Sequence, residues 1–245
     1  MISLTSGNNT NEQAPIGNDI LFEDNHLIIY NKRPSQIVQG DKTGDTPLSD
    51  LLKAFIKERD HKPGNVFLGV VHRIDRPVSG VVIFAKTSKA LTRLNEMIKS
   101  GQIHKSYWAV VKNQPPGESG YLLHYLKKNE EKNKSFAYDK EVSGSRKAEL
   151  TYSLIGTSQH YFLLEVNLLT GRHHQIRTQL SKIGCPIKGD LKYGFGRSNT
   201  DGSIHLHARQ IEFTHPVSKA EICVLADPPD DNLWTSFLLQ LKNKP

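Results

Sequence analysis

Apolar and polar residues alternate over several short stretches of this chain, and a period of two predicts β-strands. The segment ILFEDNHLIIYNK alternates on both sides of an Asp-Asn turn and predicts two short strands. Further strands are predicted over 66–74, 80–86, 103–111, 120–126, 148–155 and 161–169. A Leu-His-Ala strand begins at 206, and His215-Pro216 marks its exit.

Four other segments are predicted to be helical. They are LSDLLKAFIKERD, SKALTRLNEMIKSG, HHQIRTQLSKI and DNLWTSFLLQLKN. In the second, one face carries Ala90, Leu91, Leu94, Met97 and Ile98. In the third, Ile176 and Leu180 are four residues apart and face the core, and His173 and Arg177 flank that face. Many strands with few helices, not in strict alternation, predict an α+β fold with a mixed sheet.

Two segments show no such periodicity. Residues 1–17 are rich in Asn, Thr, Ser and Gly and are predicted to form a mobile tail ahead of one domain over 18–245. Residues 127–147 are polar and mixed in charge, which is typical of an exposed loop or a hairpin extension. Its basic residues either face RNA or are simply solvated: Lys127, Lys128, Lys132, Lys134, Arg146 and Lys147.

Composition limits the class of protein without deciding it. A chain of 245 residues, 37% of them hydrophobic, can bury a sizeable core. The formal net charge of +7 suits a phosphate-rich partner, although 25 acidic residues are interspersed. No apolar stretch approaches the roughly 20 residues of a membrane helix, and the N-terminus lacks a signal-peptide pattern. A cytoplasmic protein is therefore expected.

The cysteines and histidines do not predict a metal site. Cys185 and Cys223 are far apart, which excludes a disulfide framework and a Cys-x-x-Cys pair. Both lie in apolar, strand-like contexts and are expected to be small core residues of a reducing compartment. His205 and His207 share a strand face, but no Cys or carboxylate stands at ligand spacing. His207 is expected to satisfy a buried hydrogen bond instead.

The strongest chemical signal is the sequence VHRIDRPVSG at 71–80, which follows the apolar run VFLGV. It places one carboxylate, Asp75, between Arg73 and Arg76. Neighbouring cations favour the charged form of a carboxylate, and guanidinium groups suit phosphate. The pattern therefore favours chemistry on a nucleotide, and its simpler interpretation is a turn with surface ion pairs.

Further motifs follow in order. They are KSYWAVV at 105–111, LTGRHHQIR at 169–177, PIKGDLKYG at 186–194 and HLHARQIEFTHP at 205–216. Together with HRID and the following Ser-Gly, they make the chain similar to the RluA family of pseudouridine synthases from about Asp19 to about Leu225. The departures include Ile74 in place of Leu, Pro77-Val78 after the aspartate, and His173 in place of Thr.

The resemblance implies a fold and a reaction. The fold is the pseudouridine synthase fold: a central, mixed and mostly antiparallel sheet in two halves, with flanking helices and an active-site cleft across its middle. The reaction is the isomerisation of specific uridines in structured RNA, either ribosomal or transfer RNA. The RNA-binding module often found N-terminally in relatives is not expected in this chain.

The resemblance also implies roles for residues. The catalytic set is Asp75, with Arg177 as its ion-pair partner and Tyr107 beside the target base. Arg73, Arg76, His72, Arg172 and His174 are expected to contact RNA, with Arg73 filling the gap left by a flipped base and Arg172 and His174 holding the backbone or orienting the cleft.

An isomerisation imports no group and changes no oxidation state, so neither a cofactor nor a metal is expected, and RNA is the expected partner of a monomer. Two other functions remain open from the sequence. One is a non-catalytic RNA-binding protein on the same fold. The other is a hydrolytic glycosidase, which usually needs two carboxylates at the bond.

Overall fold

Eleven strands and four helices make up the part of the chain that this computed structural model describes, residues 16–41 and 43–243. The strands are β1 (Ile20–Glu23), β2 (Leu27–Lys32), β3 (Gly69–Val70), β4 (Ser79–Ala85), β5 (His104–Val111), β6 (Ser119–Asn129), β7 (Lys134–Tyr138), β8 (Arg146–Thr157), β9 (Phe162–Leu168), β10 (Leu206–Thr214) and β11 (Glu221–Leu225). The helices are α1 (Leu48–Arg59), α2 (Ser88–Lys99), α3 (Gln175–Lys182) and α4 (Asn232–Lys242).

The described strands form one sheet in the order β1-β2-β4-β10-β5-β9-β8-β6-β7, with β3 added beside β4 and β11 beside β10. Neighbouring strands are antiparallel except for β4 and β10, which run parallel. That parallel ladder holds only two residue pairs, His207 with Ser79 and Ala208 with Gly80. The predicted α+β fold with a mixed, mostly antiparallel sheet is confirmed, and the short ladder is where its two halves meet.

Gly80 permits this junction. Its φ of +112° lies in a region that residues with a side chain rarely adopt, and a Cβ there would lie 2.2 Å from the Ala208 carbonyl oxygen. Ser79 adds a side-chain link, because its Oγ lies 2.8 Å from His207 Nδ1. The Ser-Gly that follows the Asp75 segment therefore fastens that segment to β10.

Helices cover both faces of the sheet. Along β5, alternate side chains fall into different clusters: Tyr107, Ala109 and Val111 join the large core that includes α1 and α3, whereas Trp108 and Val110 pack with α4. Along β2, Ile28 and Tyr30 join the large core, and Leu27 and Ile29 pack with α2. Strands buried on both sides explain the nearly continuous apolar runs in the sequence.

The predicted helices are found with small shifts at their ends. In α2, Ala90 and Leu94 are buried, and the other three residues of the predicted face pack against the same core. The hairpin interpretation of residues 127–147 is also confirmed, because β6 extends to Asn129 and pairs with β7.

Two predictions are wrong. The strand expected over 66–74 shrinks to Gly69–Val70, and beyond it the Val71 amide makes one hydrogen bond to the Ile83 carbonyl oxygen at 3.4 Å. Val71 and Ile74 are buried in different hydrophobic clusters. Cys185 is buried as expected, but it follows α3 in a loop, whereas Cys223 lies on β11 and is exposed. Cys223 is therefore no core residue.

The predicted tail at 1–17 lies mostly outside the described residues. Only Ile16 and Gly17 are described, in a 3-10 helix over Ile16–Asp19. Within the described part, no helix combines the length and the apolar character needed to cross a membrane.

The hydrogen bonds of His207 make the fold sensitive to acid. Its ring is fully buried between Ser79 and the Ala226 carbonyl oxygen, and burial lowers the pKa to about 4. The unfolded chain takes up a proton near pH 6.5, whereas the native ring does not until about pH 4. The stability that His207 confers is therefore lost as the pH falls from about 6.5 to 4.

Between these pH values the unfolding free energy of the wild type should fall with decreasing pH. We expect His207→Gln to make that slope smaller by up to about 1.4 kcal/mol per pH unit. Urea unfolding at pH 7, 6 and 5 measures it. His160→Gln, at an exposed position, is the control and should keep the wild-type slope. Identical slopes for His207→Gln and the wild type would contradict this account of His207.

Candidate active site

The segment between β3 and β4 presents Asp75 at the junction of the two sheet halves. Its turn is closed by the Val78 amide, which donates to the Asp75 carbonyl oxygen at 3.0 Å. On one side the Ile204 amide donates to the Pro77 carbonyl oxygen. On the other, the Nζ of the fully buried Lys32 donates to the Arg76 carbonyl oxygen at 3.1 Å. The backbone around Asp75 is therefore held by hydrogen bonds from both halves.

The partner of Asp75 is Arg177, from the first half of α3. Arg177 Nη1 donates to Asp75 Oδ2 at 2.8 Å. The same guanidinium donates two further hydrogen bonds to Asp190, from Nε to Oδ2 at 2.7 Å and from Nη2 to Oδ1 at 2.9 Å. One buried cation is thus shared by two carboxylates, in the paired geometry that guanidinium and carboxylate favour.

The two carboxylates differ in access. The Asp190 side chain is 1% exposed and that of Asp75 is 28% exposed, so a ligand can reach Asp75 but not Asp190. Burial opposes the charge on Arg177, but its bonds to Asp190 and Asp75 outweigh that effect and raise the pKa of its guanidinium. Asp190 therefore holds Arg177 in place, and Arg177 gives Asp75 a permanent counter-charge.

His174 approaches the same carboxylate oxygen. Its Nε2 lies 3.4 Å from Asp75 Oδ2, and its Nδ1 lies 2.9 Å from the Tyr193 hydroxyl. The Ser135 amide donates to that hydroxyl oxygen at 2.8 Å, which leaves the Tyr193 proton to donate to His174 Nδ1. Burial lowers the pKa of His174 to about 3, so the ring is neutral and turns an N–H toward Asp75.

Both of these contacts fall on Oδ2 of Asp75. Within the described part of the chain, no hydrogen bond or ion pair involves Oδ1, and Asp75 lines a cleft of about 770 Å³. The cleft is large enough for a nucleotide-sized ligand. Tyr107 also lines it, and its hydroxyl pKa is raised first by burial and then by the charge of Asp75. The structure therefore brings the predicted Asp75, Tyr107 and Arg177 together at one cleft.

The residues expected to contact RNA are placed differently from one another. Arg73 is exposed and lines the cleft. Arg76 lies outside the residues that line it and forms an ion pair with Asp45 at 2.6 Å. The two arginines that flank Asp75 in sequence are therefore not its ion-pair partners, contrary to the local pattern.

The other three expected RNA contacts lie in the cleft wall. His72 accepts a hydrogen bond from the Ile83 amide at its Nε2, and burial lowers its pKa to about 3. Arg172 uses its Nε to donate to the Lys147 carbonyl oxygen at 2.9 Å. The His174 side chain is only 7% exposed and faces Asp75, which favours orientation of the carboxylate over contact with an RNA backbone.

Sequence reasoning missed two residues that complete the site, Asp190 and Tyr193. Both belong to the segment KGDLKYG, whose order and spacing marked the resemblance, but no role followed from the sequence. The guanidinium carbon of Arg177 lies 5.0 Å from the centre of the Tyr193 ring, so this segment also covers the ion pair.

His173 couples the cleft to the β6–β7 hairpin. Its ring stacks on His174 with centroids 3.8 Å apart, and its Nδ1 lies 2.9 Å from Ser135 Oγ on β7. His173 Nε2 also lies 3.1 Å from Asn133 Oδ1, at the hairpin turn. The residue that departs from the family pattern therefore positions an element beside the site.

Among the described residues, no group of three or more His, Cys, Asp or Glu side chains is arranged to hold a metal ion. His205, which the sequence places beside His207, has its Nε2 2.9 Å from Asp231 Oδ2 at the start of α4. His207 satisfies buried hydrogen bonds, as expected.

Comparison with known proteins identifies the class. The family model for RNA pseudouridylate synthase matches residues 26–182. Ribosomal large subunit pseudouridine synthase D of Xylella fastidiosa is 33% identical over 227 residues, which cover 87% of this chain and 66% of that protein. Ribosomal large subunit pseudouridine synthase C of Haemophilus influenzae is 32% identical, covering 85% of this chain and 64% of that protein. The chain spans about two thirds of the length of these relatives.

A solved structure shows the same fold. Human RNA pseudouridylate synthase domain containing 4 has a TM-score of 0.75 at 22% identity, over 93% of this chain and 94% of that one. The chain belongs to the RNA pseudouridylate synthase family, whose members are isomerases that convert uridine to pseudouridine in RNA. The predicted family and fold are confirmed.

The shared guanidinium leads to a prediction about stability. Asp190→Asn would leave the buried Arg177 with only one of its two carboxylate partners, Asp75. The removal of one partner of a buried ion pair typically costs about 3–5 kcal/mol. We expect a loss of that order in the free energy of unfolding, measured in urea at pH 7. Asp45→Asn breaks the exposed pair with Arg76 and should cost less than about 1 kcal/mol. Equal losses for the two variants would contradict a special role for Asp190.

Proposed function

We propose that this chain isomerises uridine to pseudouridine in RNA, with Asp75 as the catalytic carboxylate. The observation that carries the proposal is the geometry of Asp75: it is tied to the buried Arg177 through Oδ2 and lines the cleft with Oδ1 unpaired among the described residues. Family membership supports the reaction, and the position of Tyr107 in the same cleft supports the site.

The reaction needs few groups. The bond between the ribose C1′ and N1 of uracil breaks, the base turns, and C1′ joins C5, after which the proton on C5 is lost and N1 holds one in its place. Asp75 assists the cleavage as a nucleophile on C1′ or as a charged stabiliser, followed by proton removal. Arg177 places a buried positive charge beside the carboxylate. Because atoms and electrons balance within the substrate, no cofactor or metal takes part in this proposal.

Tyr107 and Arg73 would handle the nucleotide. The Tyr107 ring lines the cleft that Asp75 faces, so it would lie against the uracil. A target base in a helix or a stacked loop must leave its stack to reach Asp75. Arg73 is exposed at the cleft wall, two residues before Asp75, and would fill the space that the base leaves.

The substrate we propose is large-subunit ribosomal RNA, since the relatives named above act on the ribosomal large subunit. Transfer RNA is the other class that a cleft of this kind would admit. We further propose that the protein acts as a monomer in the cytoplasm. A non-catalytic RNA-binding protein would not need an exposed carboxylate with a buried counter-charge. A hydrolytic glycosidase is disfavoured because Asp75 is the one acidic residue among those described that line the cleft.

Asp75→Asn should abolish the reaction while the protein stays folded and binds RNA. The amide keeps the shape and removes the charge, and a loss on the order of 10⁴-fold corresponds to about 5.5 kcal/mol of transition-state stabilisation. Release of tritium from 5-labelled uridine in ribosomal RNA transcripts measures turnover. Asp50→Asn, on the exposed surface of α1, is the control. Turnover near that of the wild type in Asp75→Asn would remove Asp75 from the mechanism.

Arg73→Ala should affect RNAs according to their structure. If Arg73 replaces the flipped base in its stack, its loss slows the reaction most where the uridine is stacked. We expect a loss of roughly tenfold or more in kcat/KM on a structured transcript, about 1.4 kcal/mol, and a much smaller loss on an unpaired oligonucleotide with the same sequence around the uridine. Equal losses on both RNAs would rule out the gap-filling role.

A further inference from the structure

Lys105 occupies a position in the cleft to which the reaction assigns no role. It lies on β5 two residues before Tyr107, and alternate residues of a strand share a face, so the two side chains emerge side by side about 7 Å apart. Both line the same cleft. Lys105 Nζ is 3.9 Å from the point where a side chain on Gly171 would begin, so its ammonium group lies between β5 and the segment after β9.

Among the described residues, none supplies a counter-charge to this ammonium group. Within residues 16–41 and 43–243, no acceptor lies within hydrogen-bond or ion-pair distance of Lys105 Nζ. His72, which lines the same cleft, uses its Nε2 to accept from the Ile83 amide and is neutral, so it offers Lys105 no lone pair. Burial also lowers the pKa of Lys105, because desolvation opposes its charged form.

The cleft as a whole carries excess positive charge. Among the described residues that line it, five are basic and one is acidic. The acid is Asp75, whose contacts are already made by Arg177 and His174. The basic residues are Arg73, Lys99, Lys105, Arg172 and Arg177. A partly buried cation in such a cleft is stabilised when an anion from outside the protein binds beside it.

We propose that Lys105 binds a backbone phosphate of the RNA, at the nucleotide whose base lies against Tyr107. This inference rests on the proposed function, because it takes RNA to be the ligand of the cleft. The separation of Lys105 and Tyr107 along β5 is similar to the distance between a base and the phosphate of its own nucleotide. A base at Tyr107 therefore brings its phosphate toward Lys105. The bond is a charge-assisted one from Nζ to a phosphate oxygen and carries no sequence information.

The first experiment measures binding of a ten-nucleotide oligouridylate to Lys105→Met as a function of salt. Loss of one phosphate contact should weaken binding about tenfold at low salt, as for one charge-assisted hydrogen bond. It should also reduce the slope of log affinity against log salt by about 0.7. Lys105→Arg should restore both. Lys112→Met, at the exposed position just beyond β5, should bind like the wild type.

The second experiment uses the unaltered chain. Reductive methylation followed by mass spectrometry should show Lys105 protected by the oligouridylate and not by uridine, which has no phosphate, while Lys112 reacts equally in all samples. With RNA that is turned over, Lys105→Met should raise KM more than it lowers kcat. If Lys105 only positioned groups for the chemical step, Lys105→Met would lower kcat and leave the slope of log affinity against log salt unchanged.

An unchanged salt slope in Lys105→Met, or no protection of Lys105 by the oligouridylate, would overturn the phosphate contact. These readouts do not depend on turnover. If tritium release is absent from the wild type while the slope and the protection behave as expected, the proposed reaction fails and the phosphate contact stands.

Discussion

The site depends on one buried cation shared by two carboxylates. Arg177 holds Asp75 on one side and Asp190 on the other, with hydrogen bonds of 2.7–2.9 Å. Desolvation of the guanidinium is costly, and this double pairing is what chiefly offsets it. Because Asp75 comes from the first half of the sheet and Asp190 from the second, the charge can be buried only when both halves are in register. The same contact therefore joins the two halves and places a positive charge beside the candidate catalytic group.

The backbone at the junction makes this contact possible. The β4–β10 ladder is only two residue pairs long, and it needs Gly80 because any side chain there would strike the Ala208 carbonyl. Ser79 and His207 add a buried hydrogen bond at the same point. A short ladder leaves room for the Asp75 segment to emerge at the junction of β4 and β10, where an acid on a loop meets an arginine on a helix.

Features that depend on residues close together in the sequence could be predicted from it, whereas features that depend on distant partners could not. The α2 helix is set by the spacing of Ala90 and Leu94, and the β2 strand by its apolar run, so local patterns were enough for them. The run at 66–74 is equally apolar, but whether Val71 joins a ladder depends on partners distant in sequence, and it does not. For the same reason, Arg73 and Arg76 looked like the partners of Asp75, whereas Arg177 was identified only through the resemblance to a family.

Asp190 shows why part of the site had to come from the structure. In sequence it is one acidic residue in a polar turn, and its burial and pairing arise only when that turn packs under α3. Lys105 is the converse case: an ordinary strand lysine by sequence, it becomes a desolvated cation because the segment after β9 closes over it. The two carboxylates satisfy Arg177, and among the described residues the remaining cations of the cleft have no carboxylate partner. A polyanion that delivered one neutral base to Asp75 would supply the missing negative charges through its backbone. In the function proposed above, recognition and chemistry therefore use different groups of the same cleft.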